Sequence, residues 1–116
     1  VIEDEKFLKE LISQKLTKEG YKVISAVDGE DGVKKTKTEN PNLILLDLIL
    51  PGMDGFEVLD EIKKDSKLKP IPVIILSNLG QKEDVEKALK LGAVDYLIKA
   101  HFAPGQIVDK IKSVLE

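Results

Sequence analysis

The 116-residue chain has no cysteine, no tryptophan and no arginine, and it has one histidine. The absence of cysteine excludes disulfides, thiolate catalysis and cysteine metal sites, and His101 alone cannot form a multi-histidine metal site. Because all 18 basic residues are lysine, the chain lacks the planar side chain that reads guanine edges. With 21 acidic residues and a net charge of −3, we predict no direct nucleic-acid binding.

Long hydrophobic runs are also absent. No run approaches the roughly 18–20 apolar residues that a membrane span requires, and no secretory signal opens the chain, so we predict a cytoplasmic protein without a membrane contact. The length and the 42% hydrophobic content suit one domain over residues 1–116. Because the chain opens inside an apolar segment without methionine, we expect its first strand to be truncated at the N-terminus.

The apolar pattern alternates between strand-like runs and helix-like periods. Predicted strands cover Val1–Ile2, Tyr21–Val27, Leu43–Leu46, Ile71–Leu76 and Val94–Ile98. Predicted helices cover Glu5–Glu19, Glu30–Glu39, Phe56–Lys64, Glu83–Leu91 and Pro104–Leu115. Unbroken apolar strands are typical of a parallel sheet that is covered on both faces. The alternation therefore predicts an α/β fold with right-handed crossovers and helices on both sides of the sheet.

Polar residues follow four of the five predicted strands. Glu3 and Asp4 follow the first strand, Asp47 the third, Ser77 the fourth and Lys99 the fifth. In open parallel sheets, ligands bind beyond the carboxyl ends of the strands. We therefore expect three carboxylates, a hydroxyl and an ammonium group at one edge of the sheet.

This set of groups predicts phosphoryl chemistry. Three adjacent carboxylates repel one another unless a cation neutralises them, and an oxygen-only site favours Mg²⁺. Asp47 is central in the predicted sheet and is the candidate nucleophile, forming an aspartyl phosphate. Lys99 and Ser77 are predicted to stabilise the charge on the transferred group.

At these residues the sequence resembles the receiver domains of two-component response regulators, over essentially its whole length. The matching stretches are Ile2–Glu5, Leu45–Gly55, Ile75–Asn78 and Gly92–Lys99. The resemblance implies a flavodoxin-like, three-layer (βα)5 sandwich with a parallel five-stranded sheet in the order 2-1-3-4-5.

The resemblance also implies a function. Asp47 would accept a phosphoryl group from the phosphohistidine of a sensor histidine kinase or phosphotransfer protein. It implies a switch pair, Ser77 and Tyr96, and Mg²⁺ ligands at Glu3, Asp4, Asp47 and the backbone carbonyl of Ile49. The fourth helix, fifth strand and fifth helix would form the output face toward an output domain or partner protein, and we leave a homodimer through this face open.

Two positions depart from the family pattern. Ala100 follows Lys99, whereas family members usually have a proline in a cis peptide there. A cis bond before alanine costs about 2.5–4 kcal/mol, so the sequence predicts either a strained cis bond or a trans bond with a different loop. Glu3 stands where aspartate is more frequent, and its longer side chain suggests a metal contact through water.

Two alternative functions share parts of this pattern. One is a receiver-like interaction module that no longer accepts phosphate because Ala100 displaces Lys99. The other is a phosphatase of the haloacid-dehalogenase type, which also uses a nucleophilic aspartate, Mg²⁺ and a lysine. That family has an acid/base aspartate two residues after the nucleophile, where this chain has Ile49. Taken alone, Ser77 reads as a helix N-cap and His101 as an exposed loop residue.

Overall fold

The computed structural model describes residues 2, 6–21, 26, 28–48, 54–78 and 81–115. The helices are α1 (Lys6–Lys18), α2 (Gly29–Glu39), α3 (Gly55–Lys64), α4 (Lys82–Lys90) and α5 (Pro104–Leu115). The strands are β1 (Ile44–Leu46), β2 (Val73–Ser77) and β3 (Asp95–Ile98), and a 3-10 helix covers Lys99–His101. None of the helices in this described part is long and apolar enough to cross a membrane.

The observed elements match the predicted pattern with small boundary shifts. The predicted strand over Ile71–Leu76 begins later, at Val73, because the Ile71 N–H donates to the carbonyl of Leu68 and closes a turn. The strand predicted over Tyr21–Val27 lies mostly outside the described residues. Of the predicted first strand, only Ile2 is described.

The sheet is parallel. Its described strands have the order β1-β2-β3, with Leu45 opposite Ile74 and Ile75 opposite Tyr96. Isolated parallel bridges join Ile2 to Ala26 and to Leu46. An α/β fold with a parallel sheet is therefore confirmed.

Helices cover both faces of this sheet, and each face has its own core. Alternate sheet residues point to opposite faces because the side-chain period of a strand is two. On one face of the sheet, α2, α3 and α4 and the strands contribute to a buried apolar cluster that includes Val33, Val58, Leu59, Ile62, Ala88, Leu46 and Ile75. On the other face, α1 and α5 and the strands contribute to a second cluster that includes Ile12, Leu16, Ile107, Ile111, Leu45, Ile74 and Leu97.

Polar caps fix the ends of α2. The Asp28 side chain accepts a hydrogen bond of 2.8 Å from the N–H of Asp31 at the helix start. Asn40 ends the helix in the left-handed conformation, with φ 46°. Asparagine tolerates this conformation better than most residues, so the Asn40-Pro41 pair stops the helix before β1.

Lys63 stabilises the segment between α3 and β2 through hydrogen bonds to two backbone carbonyls. The Nζ atom of Lys63 donates hydrogen bonds of 2.9 Å to the carbonyls of Lys69 and Ile71. Burial lowers the pKa of Lys63, and the neighbouring charge of Lys69 lowers it further. The ammonium group therefore satisfies two turn carbonyls in the half-buried space beside α3.

We predict that Lys63→Met lowers the free energy of unfolding by about 1–3 kcal/mol, because two carbonyls lose a charged donor. Lys64→Met is the matched control. Lys64 forms a 2.8 Å ion pair with Asp60 across one turn of helix, and its side chain is 74% exposed. Urea unfolding measures both changes, and an equal loss in the two variants would contradict the role given to Lys63.

Candidate functional site

Three predicted site residues meet at the carboxyl edge of the sheet. Asp47 directly follows β1, Ser77 is the last residue of β2, and Lys99 directly follows β3. Asp47 is 4% exposed and Ser77 is fully buried. Because the strands are parallel, their ends bring residues that are far apart in sequence to one edge.

A short ion pair joins two of these residues. The Nζ atom of Lys99 lies 2.8 Å from Oδ2 of Asp47 and donates a hydrogen bond to it. The side chains are 11% and 4% exposed, so little water screens the attraction. The ammonium group therefore compensates a carboxylate that would be costly to bury alone.

The loop after Lys99 resolves the two predicted alternatives. No cis peptide bond is present among the described residues, so Lys99–Ala100 is trans. The segment Lys99–His101 forms a 3-10 turn in which the Phe102 N–H donates to the Lys99 carbonyl at 3.3 Å. The trans bond does not displace the ammonium from Asp47. Ser77 ends β2 and Gln81 occupies the N-cap position of α4, so Ser77 does not have the helix-capping role that it suggests when taken alone.

Ser77 and Tyr96 are also in contact. Their side chains share a hydrogen bond, and Tyr96 is half-buried against the core on the α2, α3 and α4 side. Burial raises the pKa of the Tyr96 phenol, the nearby carboxylates of Asp84 and Asp47 raise it further, and the bond with Ser77 lowers it. The tyrosine thus lies within the electrostatic field of the Asp47 site.

The start of α3 packs directly on the Asp47 segment. Asp54 caps this helix by accepting a 3.0 Å hydrogen bond from the Glu57 N–H. The Gly55 N–H donates to the Leu48 carbonyl at 2.9 Å. A Cβ atom on Gly55 would collide with the carbonyl oxygen of Asp47 and the Cα of Leu48. An aspartate three residues before a glutamate is typical of a helix start, so the pair Asp54 and Glu57 is the sequence signal for this cap.

The remaining predicted metal ligands, Glu3, Asp4 and Ile49, lie outside the described residues. Within the described ranges, no group of three or more histidine, cysteine, aspartate or glutamate side chains could hold a metal ion. Asp47 supplies an oxygen donor suited to a hard cation. Its N–H donates a 2.9 Å hydrogen bond to the carbonyl of Ile2, the residue before Glu3.

The chain is similar to known proteins in sequence and in structure. The sequence model of the response regulator receiver domain matches residues 1–112. A probable transcriptional regulator ycf27 of Porphyridium aerugineum is 41% identical over 115 residues, which cover 99% of this chain and 46% of that protein. The chain therefore spans about half the length of such curated relatives.

Solved structures show the same similarity. The Mn²⁺-bound form of response regulator Rcp1 is 35% identical with a TM-score of 0.83, covering 97% of this chain and 88% of that one. The phosphorylated cyanobacterial phytochrome response regulator RcpA is 34% identical with a TM-score of 0.83, covering 97% and 86%. These matches agree with the flavodoxin-like α/β fold that the sequence resemblance implies.

We predict that Gly55→Ala destabilises the chain by about 1–3 kcal/mol or more, because the methyl group would collide with the backbone of Asp47 and Leu48. Gly105→Ala in α5 is the matched control. Its added Cβ meets no atom within 4 Å, so we expect a gain of about 0.4–1 kcal/mol. Thermal unfolding checks both, and a neutral Gly55→Ala would contradict the close packing of α3.

We predict that Asp84→Asn lowers the pKa of Tyr96 and that Ser77→Ala raises it, since the first removes a repelling charge and the second a hydrogen bond. Tyrosine NMR during a pH titration measures both, with Asp109→Asn as a remote control. Because the pKa of Tyr96 is raised, the phenol of the folded chain stays protonated at pH values at which the phenol of the unfolded chain is already ionised. Its stabilising contribution is therefore present below a pH of about 10 and is lost as the pH rises through the folded pKa. Unchanged titration in Asp84→Asn would contradict the assignment.

Proposed function

This chain belongs to the response regulator receiver domain family, whose members are signalling switches rather than classical enzymes, and we propose that Asp47 is its phosphoacceptor. The observation that carries the proposal is the 2.8 Å contact between Lys99 and Asp47 at the carboxyl edge of the sheet. Burying an ion pair has a desolvation cost, so the pair is poorly explained by stability alone. A cation held beside the carboxylate is suited to a residue that must take up further negative charge. The phosphorylated relative RcpA, 34% identical, supports the same reaction.

The proposed step is a phosphoryl transfer. A carboxylate oxygen of Asp47 forms a bond to phosphorus while the bond from phosphorus to the histidine nitrogen of a kinase or phosphotransfer protein breaks. Lys99 then pairs with a phosphoryl oxygen, and the Ser77 hydroxyl donates to another. Both groups supply charge stabilisation without changing their own bonding, as phosphoryl transfer requires.

We also propose a Mg²⁺ site formed by Asp47 with Glu3, Asp4 and the Ile49 carbonyl. The hydrogen bond between the Asp47 N–H and the Ile2 carbonyl supports it, because Glu3 and Asp4 follow Ile2 in the chain. When bound, the cation supplies positive charge to the carboxylates and the phosphoryl oxygens. The Mn²⁺-bound relative Rcp1 supports a divalent ion in this family.

For the whole sheet we propose the order 2-1-3-4-5, where the numbers are those of the five predicted strands in chain order. In this numbering β1, β2 and β3 are strands 3, 4 and 5. Ile2 bridges Ala26 on one side and Leu46 on the other, both in parallel. This pattern supports a first strand between the second strand and β1. That order leaves β3 at one edge of the sheet, between α4 and α5.

The proposed output uses this edge. When Ser77 turns to the phosphoryl group, its bond with Tyr96 breaks and the ring can move, which changes the surface of α4, β3 and α5. Leu89 on α4 and Val94 before β3 are 47% and 52% exposed, which supports a contact surface there. The partner would be an output domain, a separate protein or a second copy of this chain. The relative named as a transcriptional regulator favours an output domain.

We predict that the wild-type chain gains the mass of one phosphoryl group when it is incubated with acetyl phosphate and Mg²⁺, and that Asp47→Asn gains none. Chelation of Mg²⁺ should also prevent the gain, because the carboxylates would repel the donor. Intact-mass spectrometry measures each sample. Asp54→Asn is the matched control, since Asp54 lies near the same edge and asparagine caps helices as well as aspartate does.

Two results would contradict this proposal. Equal uptake by wild type and Asp47→Asn would mean that another residue is modified. Absence of uptake by a folded wild-type chain, with an acetyl phosphate-sensitive receiver domain as positive control, would favour an interaction module that no longer accepts phosphate.

A further inference from the structure

The described part of α4 is weakly anchored. Of its residues, only Ala88 is buried, and Leu89 is 47% exposed. Segments with few buried apolar contacts open at low free energy and are the ones that move in switches. Individual side-chain contacts of α4 therefore have a large influence on its position.

One such contact links α4 to α3. The Nζ atom of Lys87 lies 4.3 Å from the centre of the Phe56 ring, which is the geometry of a cation–π interaction. Phe56 is half-buried and packs against the core on the α2, α3 and α4 side. The ring is therefore fixed by the core, whereas the lysine is carried by the weakly anchored helix.

Phe56 is also connected to the Asp47 segment. It follows Gly55, whose N–H donates to the Leu48 carbonyl at 2.9 Å and where an added Cβ would collide with the backbone of Asp47 and Leu48. A displacement of the backbone beside Asp47 thus reaches Phe56 through one peptide unit. No side chain of the Ser77–Tyr96 pair is involved in this path.

The same side of α4 faces the switch tyrosine. Asp84 precedes Lys87 by three residues, so the two side chains lie on one face of the helix. The charge of Asp84 acts on the Tyr96 phenol and raises its pKa. Movement of Tyr96 therefore acts on the face of α4 that also carries Lys87.

We propose that the Lys87–Phe56 contact holds α4 in its resting position and that phosphorylation of Asp47 breaks this contact. The inference rests on the proposed function. It gives the chain two connections from Asp47 to α4, one through Ser77 and Tyr96 and one through Gly55 and Phe56. Loss of the contact favours the shifted position of α4 and thereby the phosphorylated state.

The first test is amide hydrogen exchange of α4 in the unphosphorylated full chain. Lys87→Met should raise the opening equilibrium of the α4 amides about 2- to 5-fold, the size expected for an exposed cation–π contact. In a Phe56→Leu background, the same substitution should have no further effect. Lys87→Arg should retain slow exchange because arginine also binds aromatic faces, and Lys90→Met, exposed on the same helix, should leave exchange unchanged.

The second test is the initial rate of phosphorylation by acetyl phosphate. Lys87→Met should raise this rate about 2- to 5-fold, and Lys90→Met should not. Equal effects of Lys87→Met with and without the Phe56 ring, or an unchanged phosphorylation rate despite faster exchange, would overturn the proposal. Absence of phosphate uptake by the wild type would instead refute the proposed function, and the exchange experiment would still decide whether the contact holds α4.

Discussion

The ion pair between Asp47 and Lys99 is the interaction on which the whole carboxyl edge depends. Two charges are removed from water there, and the attraction between them offsets a desolvation cost that apolar side chains would not incur. Such a pair is a weak source of stability, since an apolar pair of similar size is often at least as stable. Its value is chemical: it places an ammonium group 2.8 Å from a nearly buried carboxyl oxygen, within reach of any group that Asp47 would accept in the proposed reaction.

The rest of the structure keeps this pair in place from several directions. Asp47 and Lys99 directly follow β1 and β3, and the parallel register of both strands with β2 sets the distance between the backbones of the two residues. The start of α3 then packs against the Asp47 backbone because Gly55 has no Cβ. These supports come from the sheet and from α3, so the geometry of the edge depends on the packing of this helix against the sheet.

Much of the fold follows from the sequence because its signals are local. The apolar run over Leu43–Leu46 and the helical periodicities are recognised from residues that are close together in the chain. Wherever such a pattern falls within the described residues, the structure has a strand or a helix. The grouping of Asp47, Ser77 and Lys99 was predictable as well, since parallel strands always align their ends. The five-strand order and the metal ligands Glu3, Asp4 and Ile49 stay predictions.

Other features could not be predicted because they depend on contacts between distant segments. Nothing near Lys87 indicates that its ammonium lies over Phe56, which is 31 positions earlier in the chain. The bond at Lys99–Ala100 is a separate, local case: the sequence left a cis and a trans bond open, and the structure has the trans bond within a 3-10 turn.

Such distant contacts also connect the buried carboxyl edge to the exposed surface of α4. Close-packed cores change between discrete arrangements and do not deform continuously, so a shift beside Asp47 must appear where packing is loosest. Among the described helices, α4 has a single buried residue, whereas α5 has three on the other face of the sheet. In the proposed switch, this difference in anchoring would make α4 the element that moves, and the change at Asp47 would reach it through Ser77, Tyr96, Asp84 and Phe56.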